Sequence, residues 1–327
     1  MEAEAPDSLR FSVCIRTHRR ASGLRRAIGS ALAQDVDDLE VVVSDDSGEM
    51  EDVVAAVADA RVRYSPNPEP RGSIANLRRV NALARGEYVL VLDDDDELLP
   101  GFLAAAAAPM DRDPAIGVVF TGILREAGGR RRPWSLPVPE GVVRDPLRML
   151  LTGYQPARSA ALIRRSALEQ GERRLPLLDG HVGDLTTWIR TAEAGWDFWA
   201  VTEPLAVIAL HGGQLSAGEG HTRVIRTFER FGFADPRTDA LRRARLGDAR
   251  RCHAVALARR GRIRSARREL RAAKAVAPRG SGEGWVIVLA LSMTVARPPL
   301  QQFTARHPRL GGVLRAARNR RRLSMTR

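Results

Sequence analysis

Apolar residues first gather at 11–15 (FSVCI), a short β-rich run that ends at the polar group RTHRR. Leu24, Ala27, Ile28, Ala31 and Leu32 follow at spacings of three and four, which predicts a helix. Residues 39–43 (LEVVV) read as a second strand stopped by SDDSGE, and 51–58 as a helix. The strand RVRYS, the turn-rich NPEPRG and a helix reaching about Leu83 come next. A strand at 88–92 then runs into four aspartates, with a helix beginning near Pro100. This alternation predicts a parallel α/β sheet, and the uninterrupted apolar strands agree, because such strands are buried on both faces. The polar groups RTHRR, SDDS and DDDD each follow a strand directly, at the edge where open α/β sheets bind ligands.

The middle third is less regular. Residues 117–124, 160–163 and 205–210 read as strands, 184–194 as a helix, and GGRRRPW as a hairpin or loop. From Asp235 the chain becomes Ala/Arg-rich, with helices expected at 239–259 and 262–276, followed by the apolar stretch GWVIVLALSMTVA. We therefore expect a flexible N-terminus at 1–10, a catalytic-type α/β domain at 11–234 and a basic helical extension at 235–327.

Composition narrows the class. Of 327 residues, 44% are apolar and 28% charged, which excludes wholesale disorder and collagen-like repeats. Two cysteines, Cys14 and Cys252, cannot build a disulfide framework and suit a reducing compartment. The first ten residues lack an apolar run and no stretch reaches the roughly 20 apolar residues of a transmembrane helix, so a cytoplasmic location is expected. The net charge of +13 is unevenly distributed: residues 1–234 carry −6 and residues 235–327 carry +19.

Chemistry enters with Asp93–Asp96. Adjacent carboxylates repel one another unless a cation neutralises them, and hard divalent ions such as Mg²⁺ or Mn²⁺ take oxygen ligands. The structural alternative is a solvated turn whose Asp96 or Glu97 caps the next helix. Asp45 and Asp46 sit at an equivalent strand end, able to accept from a ribose or base, or to form an Asx-turn. In Thr17-His18-Arg19-Arg20, arginine could pair with phosphate and His18 could stack on a base, unless the segment is an exposed basic turn.

In this order, FSVCIRTHRR, LEVVVSDDS and NPEPRGSIANLRRVNALARGEYVLVLDDDDELLPGFL resemble the family-2 inverting glycosyltransferases. The resemblance is close over 11–103 and looser to about 216. It implies a GT-A fold, a Rossmann-like, mostly parallel sheet flanked by helices. It also implies a nucleotide-diphosphate-sugar donor, usually a UDP-sugar, and a divalent metal. Thr17 and Arg20 match the first-strand motif lining the nucleotide, with His18 between them, and Asp45 matches the carboxylate that reads the base. Gly72 and Asn76 match the turn and helix beneath the nucleotide. Asp93 and Asp95 match the D-x-D positions: Asp95 is the expected metal ligand, while Asp93 and Asp94 compete for the ribose side and Asp93 can also serve the metal. Asp184 matches the catalytic base, with Gly183 where the family has glutamate; its structural alternative is a helix N-cap. His211 is a further candidate metal ligand. Arg16 stands where proline is usual, Arg19 where asparagine is usual, and Ser47-Gly48 reverses the usual order.

The expected reaction is transfer of a sugar to an acceptor hydroxyl with inversion, metal-assisted, on a glycan, lipid-linked or small-molecule acceptor. The alternatives are a non-catalytic binding or scaffold protein and a nucleotidyltransferase, although no Gly-rich phosphate loop follows the first strand. The basic tail suits an anionic membrane surface or a cap on the body; nucleic acid fits poorly, because aromatics and reader motifs are lacking.

Overall fold

The computed structural model describes residues 9–174, 182–210 and 216–277. Its first half alternates regularly: β1 (Phe11–Thr17), α1 (Ala21–Leu32), β2 (Leu39–Asp45), α2 (Glu51–Ala55), β3 (Val62–Pro66), α3 (Ser73–Leu83) and β4 (Tyr88–Asp93). Next come β5 (Glu97–Leu98), α4 (Phe102–Arg112), β6 (Ile116–Ala127), β7 (Arg130–Trp134), β8 (Gly141–Val143) and α5 (Pro146–Thr152). A 3-10 turn at Arg158–Ala160 leads to β9 (Ala161–Arg164), α6 (Arg165–Arg174), α7 (Gly183–Glu193) and β10 (Asp197–Ala209). The helices α8 (Ser216–Arg230), α9 (Pro236–Arg259) and α10 (Ile263–Val276) follow.

The strands form one mixed sheet in the order β3-β2-β1-β4-β9-β6-β10-β5, with β7 on β6 and β8 on β10. The pairs β3/β2, β2/β1, β1/β4 and β6/β10 are parallel, and β9 runs antiparallel between β4 and β6. Two reversals across β9 leave β6 pointing the same way as β4, so both carboxyl ends reach one edge. Along β1, Phe11, Val13 and Ile15 face a core shared with Leu24, Ala27 and Ile28 of α1 and Phe102, Leu103 and Ala106 of α4. Cys14 points the other way, its thiol donating to the Val80 carbonyl of α3 at 3.5 Å, so both faces of the strand are covered. That two-sided burial is why β1, β2 and β4 read as near-continuous apolar runs.

Several differences from the sequence reading have physical causes. α4 begins at Phe102, close to the expected start near Pro100, but neither Asp96 nor Glu97 caps it: the chain first enters β5, and a left-handed Gly101 (φ 81°) holds the N-cap position. GGRRRPW, expected as a hairpin or loop, is a hairpin, antiparallel with β6. β10 begins at Asp197, eight residues before the apolar run, because its first half crosses irregular pairings at Val201/Pro204 that leave Thr202 and Glu203 exposed.

Two compact units divide at Arg245/Leu246. In the second, Ala254, Leu257 and Ala258 pack with Ala266, and Arg250 pairs with Glu269 at 2.7 Å. The segments 1–8 and 278–327, including the apolar stretch and most of the final arginines, lie outside the described residues, as does His211. Among the described residues no helix is long and apolar enough to cross a membrane.

Candidate active site

β4 carries Asp93 to the sheet edge, and the turn into β5 folds the next three carboxylates back on it. The Asp93 N–H donates to Ser159 Oγ at 3.1 Å, and that hydroxyl donates to Asp96 Oδ2 at 2.5 Å. Asp96 Oδ1 accepts from the Ala209 N–H at 3.0 Å, tying the turn to the end of β10. One carboxylate oxygen from each of Asp93, Asp95 and Asp96 lies within 4.8 Å of the others. Burial, then the Asp93 charge, pushes the Asp96 carboxyl well above the usual aspartate range. Three oxygens so close, one of them on a carboxyl whose charge is disfavoured, make a donor set suited to a hard divalent cation.

Arginines partly offset this charge. Arg16 Nε donates to Asp93 Oδ1 at 2.7 Å, and Arg20 Nη1 donates to Asp95 Oδ2 at 2.7 Å and Asp94 Oδ1 at 3.4 Å. Burial opposes the Asp93 charge, but Arg16, with Arg158 and Arg20, outweighs it and holds the carboxyl below its ordinary value. The cluster also lies hard against α1: a Cβ on Gly23 would stand 2.3 Å from the Asp94 carbonyl oxygen, a distance no side chain can occupy.

The nucleotide-side candidates converge on the same edge, several of them through internal bonds. Thr17 Oγ1 donates to Asp94 Oδ2 at 2.7 Å, and His18 is exposed beside it. Burial keeps Asp94 above its usual range although the Thr17 hydroxyl opposes the shift. Asp45 Oδ1 accepts from the Ser47 N–H (2.8 Å) and hydroxyl (2.6 Å), and Oδ2 from the Met50 N–H and Tyr64 hydroxyl (both 2.9 Å). Burial raises this carboxyl's pKa, but the four donors outweigh it and leave it low. Asp46 accepts from Asn67 and from the backbone N–H groups of Arg71 and Gly72, clamping the loop before α3. Gly72 caps α3 at φ 84°, ψ 164°, a conformation open essentially to glycine alone. Asn76 is enclosed between Ser44 and Asn67, joining α3 to β2.

Asp184 sits in the first turn of α7, whose N-cap position is held by Val182; Arg158 Nε donates to its Oδ1 at 2.8 Å, and Nη2 contacts the same oxygen. Arg158 is 6% exposed, and its charge reaches Asp93, as that of Asp184 reaches Arg16. Asp184 and the acidic turn therefore belong to one electrostatic cluster. Gly183 packs on Arg158, Ile74 and Leu77, whose atoms would lie 3.1–3.2 Å from a Cβ there. Trp188 is core, its indole N–H donating to the Pro156 carbonyl at 3.0 Å.

Sequence reasoning counted Asp96 in the acidic cluster without giving it a ligand role, and missed Arg16, Arg158 and Ser159 as partners of the cluster. The departure from proline at Arg16 was a visible signal; Arg158 and Ser159, in an irregular segment far along the chain, had none.

An α/β sheet that delivers clustered carboxylates and a separate aspartate to one edge has the layout of the GT-A fold. Residues 12–171 match the family described as "Glycosyl transferase family 2". A stretch of 100 residues is 40% identical to the GalNAc(5)-diNAcBac-PP-undecaprenol beta-1,3-glucosyltransferase of Campylobacter jejuni, covering 29% of this chain and 32% of that protein. Another of 88 residues is 38% identical to the succinoglycan biosynthesis protein ExoO of Rhizobium meliloti, covering 26% and 25%. The matched stretch thus spans a quarter to a third of these relatives. Among solved structures, S. aureus TarS 1-349 superposes with a TM-score of 0.62 at 15% identity, covering 88% of each chain. The mannosyltransferase PcManGT of Pyrobaculum calidifontis, in complex with GDP-Man and Mn2+, superposes with a TM-score of 0.55 at 20% identity, covering 90% of this chain and 83% of that one. At such identities the likeness is one of fold.

Proposed function

We propose that this protein transfers a sugar from a nucleotide-diphosphate donor, a UDP-sugar, to an acceptor hydroxyl with inversion at the anomeric carbon. The observation that carries this reading is the convergence of Asp93, Asp95 and Asp96 within 4.8 Å, with Asp184 in the same electrostatic cluster. A solved complex of TarS 1-349 with UDP-GlcNAc supports the choice of donor by likeness of fold.

Thr17, His18, Arg20, Asp45, Gly72, Asn76, Asp93 and Asp94 line the nucleotide side. Asp93, Asp95 and Asp96 hold a divalent cation, Mn²⁺ or Mg²⁺, with His211 as a further candidate ligand; when bound, the cation supplies electrophilic stabilisation of the departing diphosphate. Asp184 takes the proton of the acceptor hydroxyl as its oxygen bonds to the anomeric carbon and the bond to the diphosphate breaks. Arg158 holds the base through Oδ1, leaving Oδ2 for that proton. Arg16 and Arg20 limit repulsion between carboxylates and diphosphate. Segment 11–234 performs the chemistry, and the basic segment 235–327 is an extension to it whose described part, up to residue 277, is helical. The C. jejuni relative's name contains undecaprenol, which supports a lipid-linked acceptor and work at the cytoplasmic membrane face.

The test is a thermal-shift screen of nucleotide sugars with and without Mn²⁺, since a ligand that binds only the native state raises its stability. One donor should stabilise the protein in a metal-dependent manner and then support transfer; stabilisation by none contradicts the reading.

A further inference from the structure

The hairpin of β6 and β7 projects from the same sheet edge as the acidic cluster, and its register sorts its arginines into two sets. Arg131 pairs with Glu126, points to one face and forms an ion pair with Glu97, the residue after Asp96. The other face carries Arg125 directly opposite Arg132, Ala127 opposite Arg130, and Ile123 opposite Trp134. Among the described residues no acidic side chain pairs with Arg125, Arg130 or Arg132. Like charges directly opposite on a strand pair destabilise it, so this face carries a cost that an anionic partner would relieve.

The apolar groups point the same way. Trp134 is 45% exposed, and Arg125 lies over its ring, 3.3 Å from the centroid. Leu210, 43% exposed, donates its N–H to the Glu126 carbonyl at 2.7 Å and so sits beside the same hairpin. These are two of the three large apolar residues exposed among the described residues. A soluble phosphate would use the charge but not the tryptophan and leucine. An anionic bilayer uses both, with arginines on headgroup phosphates and the indole at the interface.

We infer that the Arg125, Arg130, Arg132 and Trp134 face of the β6–β7 hairpin docks on an anionic lipid bilayer. Because β6 and β4 end at one edge, this contact turns the mouth of the site toward the membrane. It is separate from any contribution of residues 278–327 and does not require the transfer reading.

The test uses the full chain, without donor, on vesicles of phosphatidylglycerol and phosphatidylcholine, with pure phosphatidylcholine as control. The triple variant R125Q/R130Q/R132Q should bind the anionic vesicles more weakly, by about fivefold per charge removed. Its thermal midpoint should equal or exceed that of the parent protein, since opposed charges are gone. Independently, brominated phosphatidylglycerol should quench part of the parent's tryptophan fluorescence, and W134F should lose that part. Binding unchanged in the triple variant overturns the proposal and leaves the arginines as guards of an exposed sheet edge. Quenching unchanged in W134F overturns it too, even if the triple variant folds poorly. Inorganic pyrophosphate that stabilises the parent but not the triple variant, with vesicle binding equal in both, overturns it in favour of a soluble phosphate site.

Discussion

Arg158 and Ser159, consecutive residues in one 3-10 turn, hold opposite halves of the site: Arg158 donates to Asp184, and Ser159 donates to Asp96 while accepting from the Asp93 N–H. One turn thus spaces the candidate base from the candidate metal ligands. Neither side chain is free to drift, since both are buried.

The two residues should therefore fail differently. Arg158→Gln is expected to lower kcat by roughly 10–100-fold with a smaller effect on donor affinity, because its hydrogen bonds go to Asp184 and only its charge reaches Asp93. Ser159→Ala should instead raise the Mn²⁺ concentration for half-maximal activity by a similar factor. Steady-state kinetics over a metal titration separate the two; equal effects on both parameters would reduce the turn to a packing element.

Asp45 gives a stability prediction with a defined sign. Its four donors hold the carboxyl below the ordinary value of about 3.9, so the folded state binds fewer protons than the unfolded chain between those two values. The stabilisation is complete above that window and is lost as pH falls through it. Asp45→Asn should cost about 1–3 kcal/mol at neutral pH and flatten the acid limb of the stability profile, read by urea melts between neutral and acid pH.

Arg19 is a non-glycine residue in the left-handed region, at φ 57°. Its pair with Glu49 is exposed and offsets little. Arg19→Asn, a residue more tolerant of this backbone, should raise the thermal midpoint by roughly 2–4 °C without changing activity. Calorimetry checks it.

Gly23→Ala would drive a methyl group against the Asp94 carbonyl, 2.3 Å from the ideal Cβ position, and displace either α1 or the acidic turn. Expected outcomes are a loss of about 1–3 kcal/mol and weakened metal binding, seen together in melts with and without Mn²⁺.

The parallel half of the sheet was legible because β1, β2 and β4 are buried on both faces and so carry near-continuous apolar runs. The strand-end aspartates were legible for the same reason: each polar cluster marks where a strand leaves the core. The role of Asp96 within that cluster was not, because a cap and an inward carboxylate look alike until the chain is seen to enter β5 rather than a helix. The partners Arg16 and Asp93 lie 77 residues apart, and Arg158 and Asp184 lie 26 apart, so no local pattern announces either pair. The first half of β10 was illegible because its outward Thr202 and Glu203 interrupt the apolar alternation.

The central claim is that Asp93, Asp95 and Asp96 gather a divalent cation against a sugar donor's diphosphate. Its most direct test is calorimetric titration of UDP and UDP-sugars into the parent protein and Asp95→Ala, each with and without Mn²⁺. The account predicts metal-dependent binding to the parent that falls at least tenfold in the variant, whose fold is intact by circular dichroism. Binding that is indifferent both to Mn²⁺ and to the substitution would contradict it.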